Sequence, residues 1–160
     1  QTTIRTNFAP QVLQSDITIR DVSQTPTVDL YIAGFPCQPF STAGKQQGFN
    51  DDKGRGTIFF NVLDYITTKQ PKIFILENVK GLVTMNNGKY LKKILKALRS
   101  VPARRESGQS AYEIHHQVLN TKDHGIPQSR PRWYCVGIRK SSRKDAQSNS
   151  FEFPKSLQEF

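Results

Sequence analysis

The chain has little cysteine, little acidic charge and no long apolar run. Two cysteines in 160 residues, Cys37 and Cys135, cannot form the disulfide framework of a small secreted scaffold and point to a reducing interior. Neither Cys-x-x-Cys nor His-Glu-x-x-His occurs, so no metal site is expected. Apolar runs stop well short of the roughly 20 residues a membrane helix needs, and no signal-peptide pattern opens the chain. The expectation is a protein that is neither membrane-bound nor secreted. Only 13 Asp and Glu stand against 23 Lys and Arg, a net charge of +10. Solubility explains that excess as readily as a polyanionic partner, whose phosphates would release counterions on binding.

What is present reads as one α/β domain over residues 1–160. Residues 1–27 are polar, with a short strand expected around Val12-Leu13. Residues 28–33 are almost continuously apolar and read as a buried strand. Residues 41–56, rich in Gly, Gln, Asp and Lys, read as a long mobile loop of functional length. Ile58, Phe59, Val62, Leu63 and Ile66 recur at helical spacing up to Pro71, and Lys72–Leu76 follows as a second strand. A second amphipathic helix is expected over 89–99, with Leu91, Ile94, Leu95 and Leu98 inward. Its lysine face reads first as a solvated surface, with a DNA contact as the alternative. Residues 111–119 alternate as a strand, with Tyr112, Ile114, His116 and Val118 on one side. The last strand is Trp133–Ile138, in which Cys135 fills core. Phe151, Phe153 and Phe160 are expected to dock.

Strand, helix, strand, helix, strand predicts a parallel sheet with right-handed crossovers and helices on both faces. The connection to the last strand is too short for another crossover, so that strand should be antiparallel. Cys37 then follows the first strand and Glu77 the second, while Arg130 and Arg132 enter the last. All four fall on one sheet edge, the edge where open α/β sheets place their chemistry. Together they bring a thiol, a carboxylate and two guanidinium groups. A thiolate can add to an electron-poor ring, a carboxylic acid can balance the charge that develops, and guanidinium groups can bind a ring oxygen or phosphate.

Three segments carry this set: Pro36-Cys37-Gln38, Glu77-Asn78-Val79 and Gln128-Ser129-Arg130-Pro131-Arg132. In that order they resemble the DNA cytosine-5 methyltransferase family, in its compact bacterial-type members. The likeness runs from about Ser15 through Gly44–Phe49, Gly125-Ile126-Pro127 and Phe151–Pro154. It implies an S-adenosylmethionine-dependent methyltransferase fold of Rossmann type. It also implies methyl transfer to C5 of cytosine in double-stranded DNA, through a covalent bond between Cys37 and C6 of a flipped base. Glu77 would engage ring N3 and the amine, Arg132 the ring, and Arg130 would support or bind backbone. Phe35 and Pro36 would line the pocket, Pro36 beside the cofactor. Phe35, Gln38, Ser41, Lys45 and Gln128 would meet DNA. Asp16 and Ile17 would receive the adenine.

The family's Gly-rich cofactor loop, the acidic residue after its second strand, its base-reading region and its closing segment have no match here. The expectation is therefore a partial catalytic domain with weak or no activity alone. An uncovered sheet edge should await the remainder of an enzyme or another chain. Two rivals stay open: cytosine-5 methylation of transfer RNA, and a catalytically silent nucleic-acid-binding or regulatory fragment. The resemblance fits a cytoplasmic, nucleoid-associated bacterial setting, within restriction-modification or gene regulation, or a nuclear one if eukaryotic.

Overall fold

In a computed structural model the described residues are 2–36, 57–104, 108–142 and 151–157. Cys37, Gln38, Ser41, Lys45 and the 41–56 segment lie outside them. In chain order the elements are α1 (Thr2–Asn7), β1 (Leu30–Gly34), α2 (Ile58–Lys69), β2 (Ile73–Val79), α3 (Gly81–Thr84), α4 (Lys89–Arg99), β3 (Tyr112–Asn120) and β4 (Pro131–Arg139). The expected strand at Val12-Leu13 is not formed. The hydrogen-bonded strand order is β1-β2-β4-β3. β1 runs parallel to β2, and β4 lies antiparallel between β2 and β3. The last strand is thus inserted into the sheet rather than added at its rim.

That order corrects the expectation of helices on both faces. Each crossover, β1-α2-β2 and β2-α4-β3, moves the same way across the sheet. Right-handed connections moving one way must lie on one face. Phe59, Val62 and Ile66 of α2 and Leu91, Ile94, Leu95 and Leu98 of α4 accordingly share one core with Phe74, Leu76, Tyr112, Trp133 and Cys135. Fully burying one such large side chain is worth about 1.5–3 kcal/mol. On the opposite face Leu30, Ile32 and Ile73 stay exposed. The outer edge of β1 has no strand partner among the described residues.

Local chemistry sets the joints. α2 ends on Gln70 in the left-handed region, φ 49°, with its N–H bonded to the Ile66 carbonyl, and Pro71 follows. Arg139 donates to the Gln70 carbonyl at 2.6 Å and Arg104 donates to that of Thr68, so guanidinium groups cap this C-terminus. Phe74 and Gly137 are register partners on the core face. A Cβ at residue 137 would fall 2.1 Å from the Phe74 ring, so only glycine lets that ring lie across β4. Cys135 is fully buried, and burial pushes its thiol up to about 12. It is core filler, as its position in the strand suggested. His116 lies on the core side 6.4 Å from the Trp133 ring. His115, on the other face, stands 2.8 Å from Glu113 and packs on Phe151.

Candidate active site at the carboxyl edge of the sheet

The carboxyl ends of β1, β2 and β3 and the amino end of β4 meet on one edge. Gly34 is the register partner of Glu77, and Arg132 is the partner of both Val79 and Leu119. Residues opposite one another in register share a face. Glu77 and Arg132 are therefore brought to the same side at the same edge, and they touch. Arg132 Nε donates to Glu77 Oε1 at 3.0 Å, with both side chains partly exposed. Arg132 Nη1 donates to the Pro131 carbonyl at 2.9 Å, which fixes the plane of the guanidinium.

The second carboxylate oxygen has a different neighbour. A Cβ built on Gly34 would lie 3.3 Å from Glu77 Oε2. Oε1 is thus taken by arginine while Oε2 lies over the end of β1. The next residues of that strand lead through Phe35 and Pro36 to Cys37. An ion pair this exposed contributes little stability, about 0–1 kcal/mol. Its value here is orientation of the carboxylate.

Asn78 ties the two strand exits together. It is fully buried, its Nδ2 donates to the Phe35 carbonyl at 3.1 Å, and its Oδ1 accepts the Val79 N–H at 2.9 Å. Asn78 lies near the end of β2, and its bond to Phe35 reaches the exit of the neighbouring strand. Phe35, expected to meet DNA, has its side chain at the same strand exit. Its ring is 4% exposed and packs 5.6 Å from that of Phe59, inside the core. Pro36 is half-buried at the same exit.

The arginine loop is held by its own polar residues, which sequence reasoning missed. Asn120 Oδ1 accepts the Arg130 N–H at 2.7 Å, its Nδ2 reaches Ser129 Oγ at 3.3 Å, and Thr121 Oγ1 donates to the Gln128 carbonyl. Arg130 and Gln128 are exposed on this loop, and the ion pair of Glu77 is with Arg132. The structure therefore brings Glu77 and Arg132 together and leaves Arg130 at the rim.

Asp16 is exposed, and its Oδ1 accepts both the N–H and the hydroxyl of Thr18 at 2.7 Å, bonds that hold its carboxyl below the usual carboxylate range. Ile17 beside it is half-buried against the core. An ionised acceptor next to an apolar side chain fits the amine and flat ring of an adenine. The described residues hold no cluster able to bind a metal ion, and no helix long and apolar enough to cross a membrane.

The sheet and the helices packed on it have the fold of solved methyltransferases. The Entamoeba histolytica methyltransferase EhMeth superposes with a TM-score of 0.63 at 19% identity, over 97% of this chain and 45% of that one. The family model described as C-5 cytosine-specific DNA methylase matches residues 1–159, and the chain belongs to that family. The Type II methyltransferase M.NgoBI of Neisseria gonorrhoeae is 47% identical over 123 residues, 77% of this chain and 35% of the relative. The Type II methyltransferase M1.ScrFI of Lactococcus lactis subsp. cremoris is 40% identical over 157 residues, 98% of this chain and 37% of the relative. The chain thus spans little more than a third of the length of these relatives.

Proposed function

We propose that this chain is the part of a DNA cytosine-5 methyltransferase that attacks and holds the target base. The observation that carries the reading is the Glu77-Arg132 pair, with Glu77 Oε2 turned to the strand end that leads into Cys37. Membership of the C-5 cytosine-specific DNA methylase family supports DNA, rather than RNA, as the substrate.

Carbon 5 of cytosine is too weak a nucleophile to be methylated directly. Addition of the Cys37 thiolate to C6 forms an S–C6 bond and moves electron density onto C5 and N3. Glu77, carrying a proton on Oε2 for this step, donates it to ring N3 and so balances that charge, while Oε1 stays on Arg132. The Arg132 guanidinium retains further donors for O2 of the ring. Once C5 carries the methyl group, loss of its proton to a base from solvent expels the Cys37 thiolate, which breaks the S–C6 bond and restores aromaticity. The target base leaves the duplex to reach these groups, because C6 is shielded in the stack. Gln38, Ser41, Lys45 and Gln128 contact the DNA around it, and Arg130 binds backbone phosphate.

S-adenosylmethionine, when bound, supplies an electrophilic methyl group. Asp16 accepts the adenine amine, Ile17 packs against the ring, and Pro36 lies toward the reacting end. Because these residues match only part of that ligand, the chain by itself turns over slowly. We infer a bacterial intracellular setting from relatives of Neisseria and Lactococcus.

The test is transfer of tritium from methyl-labelled S-adenosylmethionine. Slow incorporation into duplex DNA, lost in Cys37→Ser and reduced at least 100-fold in Glu77→Gln, supports the reading. Incorporation into transfer RNA alone moves the chain to the RNA-modifying rival. No incorporation above the Cys37→Ser background supports a silent binding fragment.

A further inference from the structure

We propose that the outer face of α4 is a second DNA-binding surface that tracks the phosphate backbone, separate from the catalytic edge. The proposal rests on the choice of DNA as substrate made above and adds a surface that catalysis does not use.

Leu91, Ile94, Leu95 and Leu98 are buried against the sheet. At 100° per residue they occupy one side of the helix. Lys89, Lys92, Lys93, Lys96 and Arg99 occupy the opposite side, and all five are exposed. The face therefore points straight away from the core. It begins beside the exit of β2 at the catalytic edge and runs back along the sheet for about 15 Å, at 1.5 Å per residue. At 3.4 Å of axis per phosphate on one strand, that length matches roughly four phosphates.

Three features separate this face from an ordinary solvated one. A helix built for solubility intersperses charges of both signs, with acids four residues before lysines. Here the chain holds no Asp or Glu from Asn78 through Arg104. The pairs Lys89–Lys92, Lys89–Lys93, Lys92–Lys96, Lys93–Lys96 and Lys96–Arg99 are like charges at i, i+3 or i, i+4, each weakly destabilising. Lys89 also sits in the first turn, which has no acidic residue, where the helix dipole disfavours a cation. Among the described residues the ion pairs are Lys72–Asp29, His115–Glu113 and Arg132–Glu77, and none holds Lys89, Lys92, Lys96 or Arg99, while Lys93 lies 5.5 Å from the centroid of the Phe60 ring. The charge of Lys89, Lys92, Lys96 and Arg99 is thus concentrated in one exposed arc, and a polyanion laid along the helix removes the repulsion. Duplex DNA supplies such a line of charge at a matching length.

The test is anisotropy of a labelled 20-base-pair duplex with the full chain at 50–300 mM NaCl. Wild type is compared with Lys92→Ala/Lys96→Ala and with a charge-matched control, Lys140→Ala/Lys155→Ala. Each phosphate contact contributes about 0.9 to the slope of log affinity against log salt. The α4 double variant should lower that slope by about 1.8 and weaken binding roughly 30-fold at 0.15 M salt. The control should leave the slope unchanged. Thermal melting separates lost binding from lost fold: removing the repulsion should leave Tm equal or higher. An unchanged slope in the α4 variant overturns the proposal. So does an equal fall in the control, a general charge effect, or no measurable binding by wild type. Methyl transfer reads the catalytic edge independently, so either idea can fail alone.

Discussion

Replacing Asn78 by alanine tests whether the two strand exits are bound into one unit. The side chain is fully buried and makes two hydrogen bonds, one to the Phe35 carbonyl and one from the Val79 N–H. A net hydrogen bond is worth about 0.5–1.5 kcal/mol, and a buried group left unpaired costs about 1–3 kcal/mol. Alanine removes both bonds and strands both main-chain groups, so the loss should be about 3 kcal/mol. For a chain of this size that lowers Tm by roughly 6–12 °C. The assay is urea unfolding followed by fluorescence of the single tryptophan, Trp133, which is fully buried. The midpoint should fall with m unchanged. Asn78→Asp sharpens the test, since it keeps the acceptor for Val79 but loses the donor to Phe35. Its buried carboxyl should have a raised folded-state pKa. The variant should then hold its stability below the unfolded value, about 3.9, and lose it as pH rises through the folded one. A loss under about 0.5 kcal/mol for alanine, or no pH dependence for aspartate, refutes the reasoning.

Gly34→Ala places a Cβ 3.3 Å from Glu77 Oε2. It should cost under about 1 kcal/mol in urea unfolding yet lower methyl transfer roughly tenfold, equivalent to about 1.4 kcal/mol of barrier. Equal activity would show that the carboxylate moves freely. Cys135 is buried with its thiol pushed up to about 12. Titration with a disulfide reagent should find one reactive thiol in the native chain, none in native Cys37→Ser, and two on unfolding; two in the native state refute this. His116 is exposed, yet desolvation on its core-facing side holds it below its usual range, and Arg99 adds to that effect. The unfolded chain then binds more protons, so stability should fall as pH drops from about 6.5 towards the folded value. His116→Leu should flatten that part of the pH profile, and an unchanged slope would contradict it.

Local pattern was enough for the elements and for the shared edge. The buried leucines and isoleucine of α4 recur at helical spacing between Gly88 and Ser100, and the helix spans Lys89–Arg99 as expected. The run at Ile73–Leu76 forms β2, which extends past it to Val79. The short α1 and α3 carry too few periodic residues to be read. The insertion of β4 beside β2 is a non-local pairing that no single segment encodes, and it places both crossover helices on one face. The site divides the same way. Glu77 and Arg132 were legible as sharing an edge, but their contact depends on that insertion. The family resemblance implied that Phe35 lines the pocket. Its burial against Phe59, and its bond from Asn78 43 residues away, arise only in the packed chain.

The most direct test of Cys37 as nucleophile is covalent trapping on a duplex carrying 5-fluorocytosine, with S-adenosylmethionine present. Fluorine cannot leave as the C5 proton does, so the S–C6 bond persists and even slow turnover accumulates as adduct. Peptide mapping should find the DNA attached at Cys37, with no adduct in Cys37→Ser. A wild-type chain that forms no adduct on duplex DNA, or one attached elsewhere, would contradict the account.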